Sequence, residues 1–310
     1  MNILITGGFG YLGARLALEL SNKSNYKLYL GTRDSKGPPE WLPTANVSHT
    51  NWNQPTTVDH ATSDIDTIVH MSGMNARNCV ADPVAALEFN GLVTARLLQA
   101  AINNGVRRFV YLSTAHVYNS PLTGVITEKN CTLSTHPYAT SHRAGEDVVI
   151  AAHQRGDIEG IVIRLSNAFG APVLKDTNCW MLLVNDLCSQ AMTNQTLVLK
   201  TSGLQRRDFI AMSDVVRALT FVLDLSKEKT GNGIFNVGGQ WSPRIIDMAE
   251  IIQTCCKTEY GFSPEIVRPI PESHEESHSL DYRIDKLMSA GFVLEKETQQ
   301  EIVATLKLCS

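Results

Sequence analysis

The sequence has no apolar run approaching the roughly 20 residues that a membrane-spanning helix requires. It opens instead on a glycine-rich turn, where a secretory signal would need a basic segment and a long apolar core. A cytoplasmic protein without a membrane partner is the expectation. Blocks of like charge are missing as well, and the net charge is −4, which argues against a nucleic-acid surface or a charged binding tail. The seven cysteines show neither CxxC nor metal-ligand spacing, and their number is odd. They read as reduced, packed thiols, so no metal and no disulfide is expected. What is present suits a globular chain: 310 residues, 43% hydrophobic and 19% charged, enough for one large α/β unit and a smaller lobe. Small molecules are the expected partners.

The most informative segment is Thr6-Gly7-Gly8-Phe9-Gly10-Tyr11-Leu12-Gly13, which follows the apolar run Ile3-Leu4-Ile5. A short buried strand ends at Thr6 and Gly7 makes a tight turn. Gly10 lets the backbone approach a pyrophosphate, and Gly13 lets the next helix pack closely on the strand. Phe9, Tyr11 and Leu12 complete the turn, and N–H groups from Tyr11 onward face the anion at the positive end of the helix dipole. Glycines also punctuate ordinary loops, so context decides. An amphipathic stretch (Leu12, Leu16, Leu18, Leu20) and a second strand-like run, Tyr26 to Leu30, complete a βαβ unit, and dinucleotide binding is expected.

Further apolar runs at Asp66 to His70, Phe109 to Leu112 and Gly160 to Leu165 alternate with helical stretches, clearest from Ala85 to Asn104. That alternation predicts a parallel, doubly wound sheet. Beyond Phe169 the pattern changes, and a region rich in Pro, Glu and His runs from Ser263 to Ser279. The division predicted is 1–168, with 206–231 returning to it, and a second lobe of 169–205 and 232–310.

A second constellation is Thr114 followed by Tyr138 and, four residues on, His142. If Pro137 opens a helix, Tyr138 and His142 share one face. Tyrosine is a poor acid or base at neutral pH unless a neighbouring cation stabilises the phenolate. A Thr114 hydroxyl could orient a substrate C–O group beside it.

Taken together, the chain resembles the extended short-chain dehydrogenase/reductase family, in its nucleotide-sugar epimerase, dehydratase and reductase branch. The glycine turn, Leu112-Ser113-Thr114-Ala115-His116-Val117-Tyr118 and Pro137-Tyr138-Ala139-Thr140-Ser141-His142 are similar to its cofactor turn, its Ser/Thr strand and its Tyr-x-x-x-Lys element. Arg164 to Gly170, Arg207-Asp208-Phe209-Ile210 and Phe235-Asn236-Val237-Gly238-Gly239 resemble landmarks of its substrate lobe. The resemblance implies an α/β fold, a doubly wound parallel Rossmann sheet with a smaller C-terminal substrate-binding lobe. It also implies an enzyme in which Thr114 and Tyr138 act on a sugar oxygen while nicotinamide carries the hydride.

Two departures sharpen the expectation. His142 stands where the family has a lysine that holds the nicotinamide ribose and lowers the tyrosine pKa. An imidazole, mostly neutral at pH 7, would activate Tyr138 less and in a pH-dependent way. Ala115 and His116 occupy the positions of the dehydratases' Asp-Glu pair, so water elimination is not expected. His116 is either an extra group facing the sugar or a structural residue.

For the cofactor, the acid that binds the NAD ribose is replaced by Gly31-Thr32-Arg33-Asp34, and Arg33 suits a 2′-phosphate, which puts NADP ahead of NAD. Asn51 and Trp52 are candidates to flank the adenine. Ser72 and Asn90 are further cofactor-side candidates. Asn167, Arg207 and Arg268 are candidates for the nucleotide diphosphate, with a surface pair between Arg207 and Asp208 or Asp214 as the plain alternative. The expected substrate is a nucleoside-diphosphate sugar, and the expected reaction 4-epimerisation or 4-keto reduction. A non-catalytic NAD(P)-binding or redox-sensing protein is the rival. By analogy, a homodimer is expected.

Overall fold

The computed structural model describes all residues, 1–310. Seven strands make its central sheet: β1 (Asn2–Thr6), β2 (Lys27–Thr32), β3 (Asn46–His49), β4 (Thr67–His70), β5 (Arg108–Thr114), β6 (Glu159–Leu165) and β7 (Ile234–Val237). Their order is β7-β6-β5-β4-β1-β2-β3, and every pairing from β3 through β6 is parallel. This is the expected doubly wound arrangement. Strand order reverses between β1 and β4, and in such sheets ligands bind beyond the carboxyl ends of the strands at that switch point. Both faces of the inner strands are covered, so they read as continuous apolar runs: Ile3, Leu4 and Ile5 are all at most 1% exposed.

One face of the sheet packs through Leu4, Ile68, Phe109 and Tyr111 against Leu97, Leu98 and Val149 of the covering helices. The stretch from Ala85 to Asn104 is less regular than its periodicity suggests. A short helix, Pro83–Ala86, runs into a π-helical turn, Leu87–Leu92, before the helix Val93–Asn103. Such turns break the regular i→i+4 ladder and recur at functional positions. Asn90 lies inside this one.

The chain forms two compact units. The first comprises 1–121, 128–165 and 218–236 and holds the sheet; the second comprises 122–127, 166–217 and 237–310. Within the second, Asn167–Phe169 pairs in parallel with Phe209–Ala211, and Thr196–Val198 with Glu265–Val267. Its core gathers Phe169, Leu187, Phe209, Met248, Ile252 and Ile302. No helix of the chain is long and apolar enough to cross a membrane.

Candidate active site

The glycine turn has the geometry of a phosphate cradle. Gly7 adopts φ +71°, in the left-handed region that side chains disfavour. A Cβ at Gly13 would lie 2.1 Å from the Gly7 carbonyl oxygen, so only glycine lets the helix Tyr11–Ser21 start there. Gly10 is its N-cap, and no side chain caps that helix end. An anion is the natural partner for such a helix N-terminus. Beyond the ends of β2 and β3 lies a cavity of about 530 Å³, lined by Arg33, Asn51, Trp52, Met74 and Phe89 among others. Cradle and cavity together fit an adenine dinucleotide.

Within that cavity the Arg33 guanidinium sits 5.4 Å over the Phe89 ring. Asp34, the carboxylate next to Arg33, is exposed and paired with Lys36 at 3.0 Å. Asn51 is exposed and its side chain accepts from Asn53 N–H, while Trp52 packs edge-on against His70 with ring centres 6.3 Å apart. The Trp52 indole nitrogen is buried without a partner. Phe9 packs edge-on against Trp41. Ser72 donates its backbone N–H to the Thr6 hydroxyl, and Asn90 is wholly buried. The Asn90 carboxamide accepts from Met74 N–H at 2.8 Å and donates to the Ser141 hydroxyl at 3.0 Å, so it clamps the loop after β4 to the helix that carries Tyr138.

That helix spans Pro137–Arg155, with Pro137 in its first turn, as the Tyr138/His142 spacing required. The His136 ring caps it by accepting from Tyr138 N–H at 3.2 Å. Thr114, at the end of β5, is buried, and its hydroxyl accepts from His116 N–H at 3.2 Å. Tyr138 and His142 meet edge to face, with ring centres 4.6 Å apart. Burial pushes the Tyr138 phenol up to about 12, against the pull of the Thr114 hydroxyl beside it. Burial also holds the His142 imidazole down at about 4. Here the structure departs from a histidine that gains charge near neutrality: the imidazole is neutral throughout that range and supplies no cation to the phenol.

Sequence reading missed what surrounds His142. Its Nδ1 lies 3.0 Å from the Tyr111 hydroxyl, which also reaches the Asn90 carbonyl at 3.3 Å. Thr94 donates to the same carbonyl at 2.7 Å and meets His70 Nε2 at 3.0 Å, and His70 Nδ1 meets the Thr6 hydroxyl at 2.6 Å. A buried string of neutral groups therefore joins the glycine turn to His142. One helical turn past His142, Glu146 accepts from Ser113 at 2.5 Å and from Arg164 at 2.6 and 3.1 Å. Tyr111, His70, Thr94 and Glu146 look in sequence like ordinary core or helix-face residues; only their pairing across the sheet marks them.

Asn167, Arg207 and Arg268 lie in the second unit. Asn167 donates its side-chain amide to the Asp208 carbonyl at 2.9 Å, and Arg268 donates to the Ser202 carbonyl. Arg207 is half-buried and forms no ion pair; its side chain donates to Gln205 Oε1 at 3.4 Å, and burial lowers its guanidinium. Neither carboxylate considered for it is available. Asp208 accepts from Ser166 and from the N–H groups of Gly239 and Trp241, and Asp214 pairs with Arg217 at 2.8 Å.

A doubly wound sheet with a phosphate-cradling turn at its switch point places the chain among dinucleotide-binding α/β proteins. It belongs to the NAD dependent epimerase/dehydratase family, whose profile matches residues 3–238. A putative UDP-glucose 4-epimerase of Methanocaldococcus jannaschii is 24% identical over 97% of this chain and 95% of its own. A dTDP-glucose 4,6-dehydratase of Streptomyces niveus is 25% identical over 91% of this chain and 84% of its own. Among solved structures, the UDP-glucose 4-epimerase of Thermotoga maritima with UDP-glucose superposes with a TM-score of 0.84 at 19% identity, covering 99% and 98% of the two chains. MoeE5 in complex with UDP-glucose and NAD gives 0.80 at 22%, with the same coverage.

Proposed function

We propose that this chain is an NAD(P)-dependent oxidoreductase acting on a nucleoside-diphosphate sugar, with Tyr138 as proton donor in the reduction of a 4-keto group. The observation that supports this direction is the packing of Tyr138, with ring centres 4.6 Å apart, against His142, a buried imidazole rather than a lysine cation. A phenol without a neighbouring cation keeps its proton, and a general acid needs that proton. A bound dinucleotide supplies the hydride. Tyr138 delivers its proton to the oxygen that becomes the alcohol, and the Thr114 hydroxyl holds that oxygen. Arg207, with no carboxylate partner, suits paired diphosphate oxygens, and Asn167 and Arg268 are its companions in the same unit. His116, at the end of β5 beside Thr114, is a further group toward the sugar.

Arg33, poised over Phe89 while Asp34 is taken by Lys36, favours NADP over NAD. The second reading is 4-epimerisation, favoured by the 4-epimerases among the relatives. It would require Tyr138 to begin as a base. Exposed Val80, Val84 and Leu87, on the helical run from Ala76 to Leu92, suit pairing with a second copy.

Denaturing the purified protein and identifying any released dinucleotide by mass tests the choice. Release of NADP, or of nothing with NADPH oxidised when a keto-sugar is added, is the expected result. Near-stoichiometric NAD would point to an epimerase that recycles its cofactor. Failure to bind either dinucleotide would point to a chain that has left this chemistry.

A further inference from the structure

His142 is 6% exposed, and of its two ring nitrogens only Nδ1 has a protein partner. Proton accounting along the buried string determines which nitrogen carries the hydrogen. Thr94 spends its only hydroxyl proton on the Asn90 carbonyl, so the 3.0 Å contact with His70 must be donated by His70 Nε2–H. Neutral His70 then accepts at Nδ1 from the Thr6 hydroxyl, whose oxygen accepts in turn from the N–H groups of Met71 and Ser72. Tyr111 has one proton and three neighbours: His142 Nδ1, the Asn90 carbonyl and the Thr94 hydroxyl, whose own proton is already spent. If it donated to His142, its oxygen would face the Asn90 carbonyl at 3.3 Å with no proton between them. If it donates to Asn90, both contacts are satisfied, because His142 Nδ1–H donates to the Tyr111 oxygen.

We propose that Tyr111 locks His142 in its Nδ1–H tautomer, so that the Nε2 lone pair accepts a hydrogen bond from a hydroxyl of the bound nicotinamide ribose. The polarity is the reverse of a lysine at this place, which donates to the ribose. Nε2 and Cε1 border the bare backbone of Gly73: a Cβ there would sit 3.7 and 3.6 Å from them, so glycine leaves that edge of the ring uncovered by a side chain. Tyr111, wholly buried, acts through His142 and is a positioning residue. The ribose half of the inference rests on the dinucleotide reading above; the tautomer half does not.

The test is nitrogen NMR on the full chain carrying ¹⁵N-labelled histidine, without ligand, at pH 7, with the His142 signals assigned by their loss in His142→Gln. The expected spectrum has a protonated Nδ1 and an unprotonated Nε2, and Tyr111→Phe, which removes the acceptor, shifts His142 toward Nε2–H. Adding NADPH is expected to move the Nε2 signal in the direction of hydrogen-bond acceptance. Tyr111→Phe should weaken its binding roughly three- to tenfold, the scale of one neutral hydrogen bond. An Nε2–H tautomer or an imidazolium in the native protein would overturn the assignment, and so would an unchanged tautomer in Tyr111→Phe. If that variant folds poorly, the native spectrum still decides. A correct tautomer in a protein that binds no dinucleotide would overturn the ribose contact alone and implicate the cofactor reading.

Discussion

Along the helix Pro137–Arg155, Tyr138 and His142 face one buried polar cluster, and Glu146, a turn further on, faces another. The second is charged. Arg164 and Glu146, with side chains 7% and 2% exposed, are joined by three contacts, Ser113 adds a fourth, and the guanidinium stacks 4.8 Å over Tyr118. Burial alone would lower the Arg164 guanidinium, but the Glu146 carboxylate more than reverses it, and the cation is held. The first cluster contains no charge: His70, Thr94, Tyr111 and His142 share protons in a neutral string. Burial disfavours any unpaired charge, so each cluster is stable in its own form. The lesson is chemical. The charged pair lies beside the proposed catalytic groups and stabilises structure, whereas the position that would activate Tyr138 holds an imidazole without charge.

The largest effect that breaks this comparison is removal of one charge from the second cluster. Glu146→Ala leaves Arg164 buried and unpaired, and chemical denaturation should show a loss of about 3–5 kcal/mol. His142→Gln, which removes no charge, should cost much less in the same assay. Tyr138→Phe should lower turnover roughly 10²- to 10⁴-fold while dinucleotide affinity stays nearly constant by calorimetry. Undiminished turnover would refute the proton-donor role.

Acid sharpens the contrast. His70 and His142 are held down by burial, at about 3 and about 4, and for His70 the repulsion that a protonated His142 would exert is a further cause. Both depressed values lie below the unfolded value near 6.5. The unfolded chain therefore binds protons first as pH falls. Stability is fully present above 6.5 and is lost toward 4, by up to about 1.4 kcal/mol per pH unit for each histidine. Urea midpoints measured from pH 7 to pH 4.5 should fall less steeply in His142→Gln. The smallest effect is His142→Lys, which should place a cation beside the phenol and lower the Tyr138 pKa by about one unit or more.

Much of this was legible because it is local. The turn from Thr6 to Gly13 announced a strand, a cradle and a helix, and Pro137 placed Tyr138 and His142 on one face as the spacing implied. The strands were legible as apolar runs because both sheet faces are buried. The π-helical turn around Asn90 was not, since its neighbours follow helical spacing on either side. The partners of His142 were hidden for a different reason. Tyr111 comes from β5, Thr94 from the helix Val93–Asn103 and His70 from β4, and no spacing in sequence joins them. The burial that pushes the His142 imidazole down is likewise tertiary, so nothing in the local sequence signals it.

The most direct test of the central claim is the titration of Tyr138 itself, followed by ¹³C NMR of ring-labelled tyrosine in the native chain and assigned with Tyr138→Phe. A phenol that stays protonated through pH 10 and titrates near 12 is the predicted result, with His142→Lys moving it down. A Tyr138 that ionises below pH 9 beside the native His142 would contradict the account, because the site would then hold a ready base and suit epimerisation better than reduction.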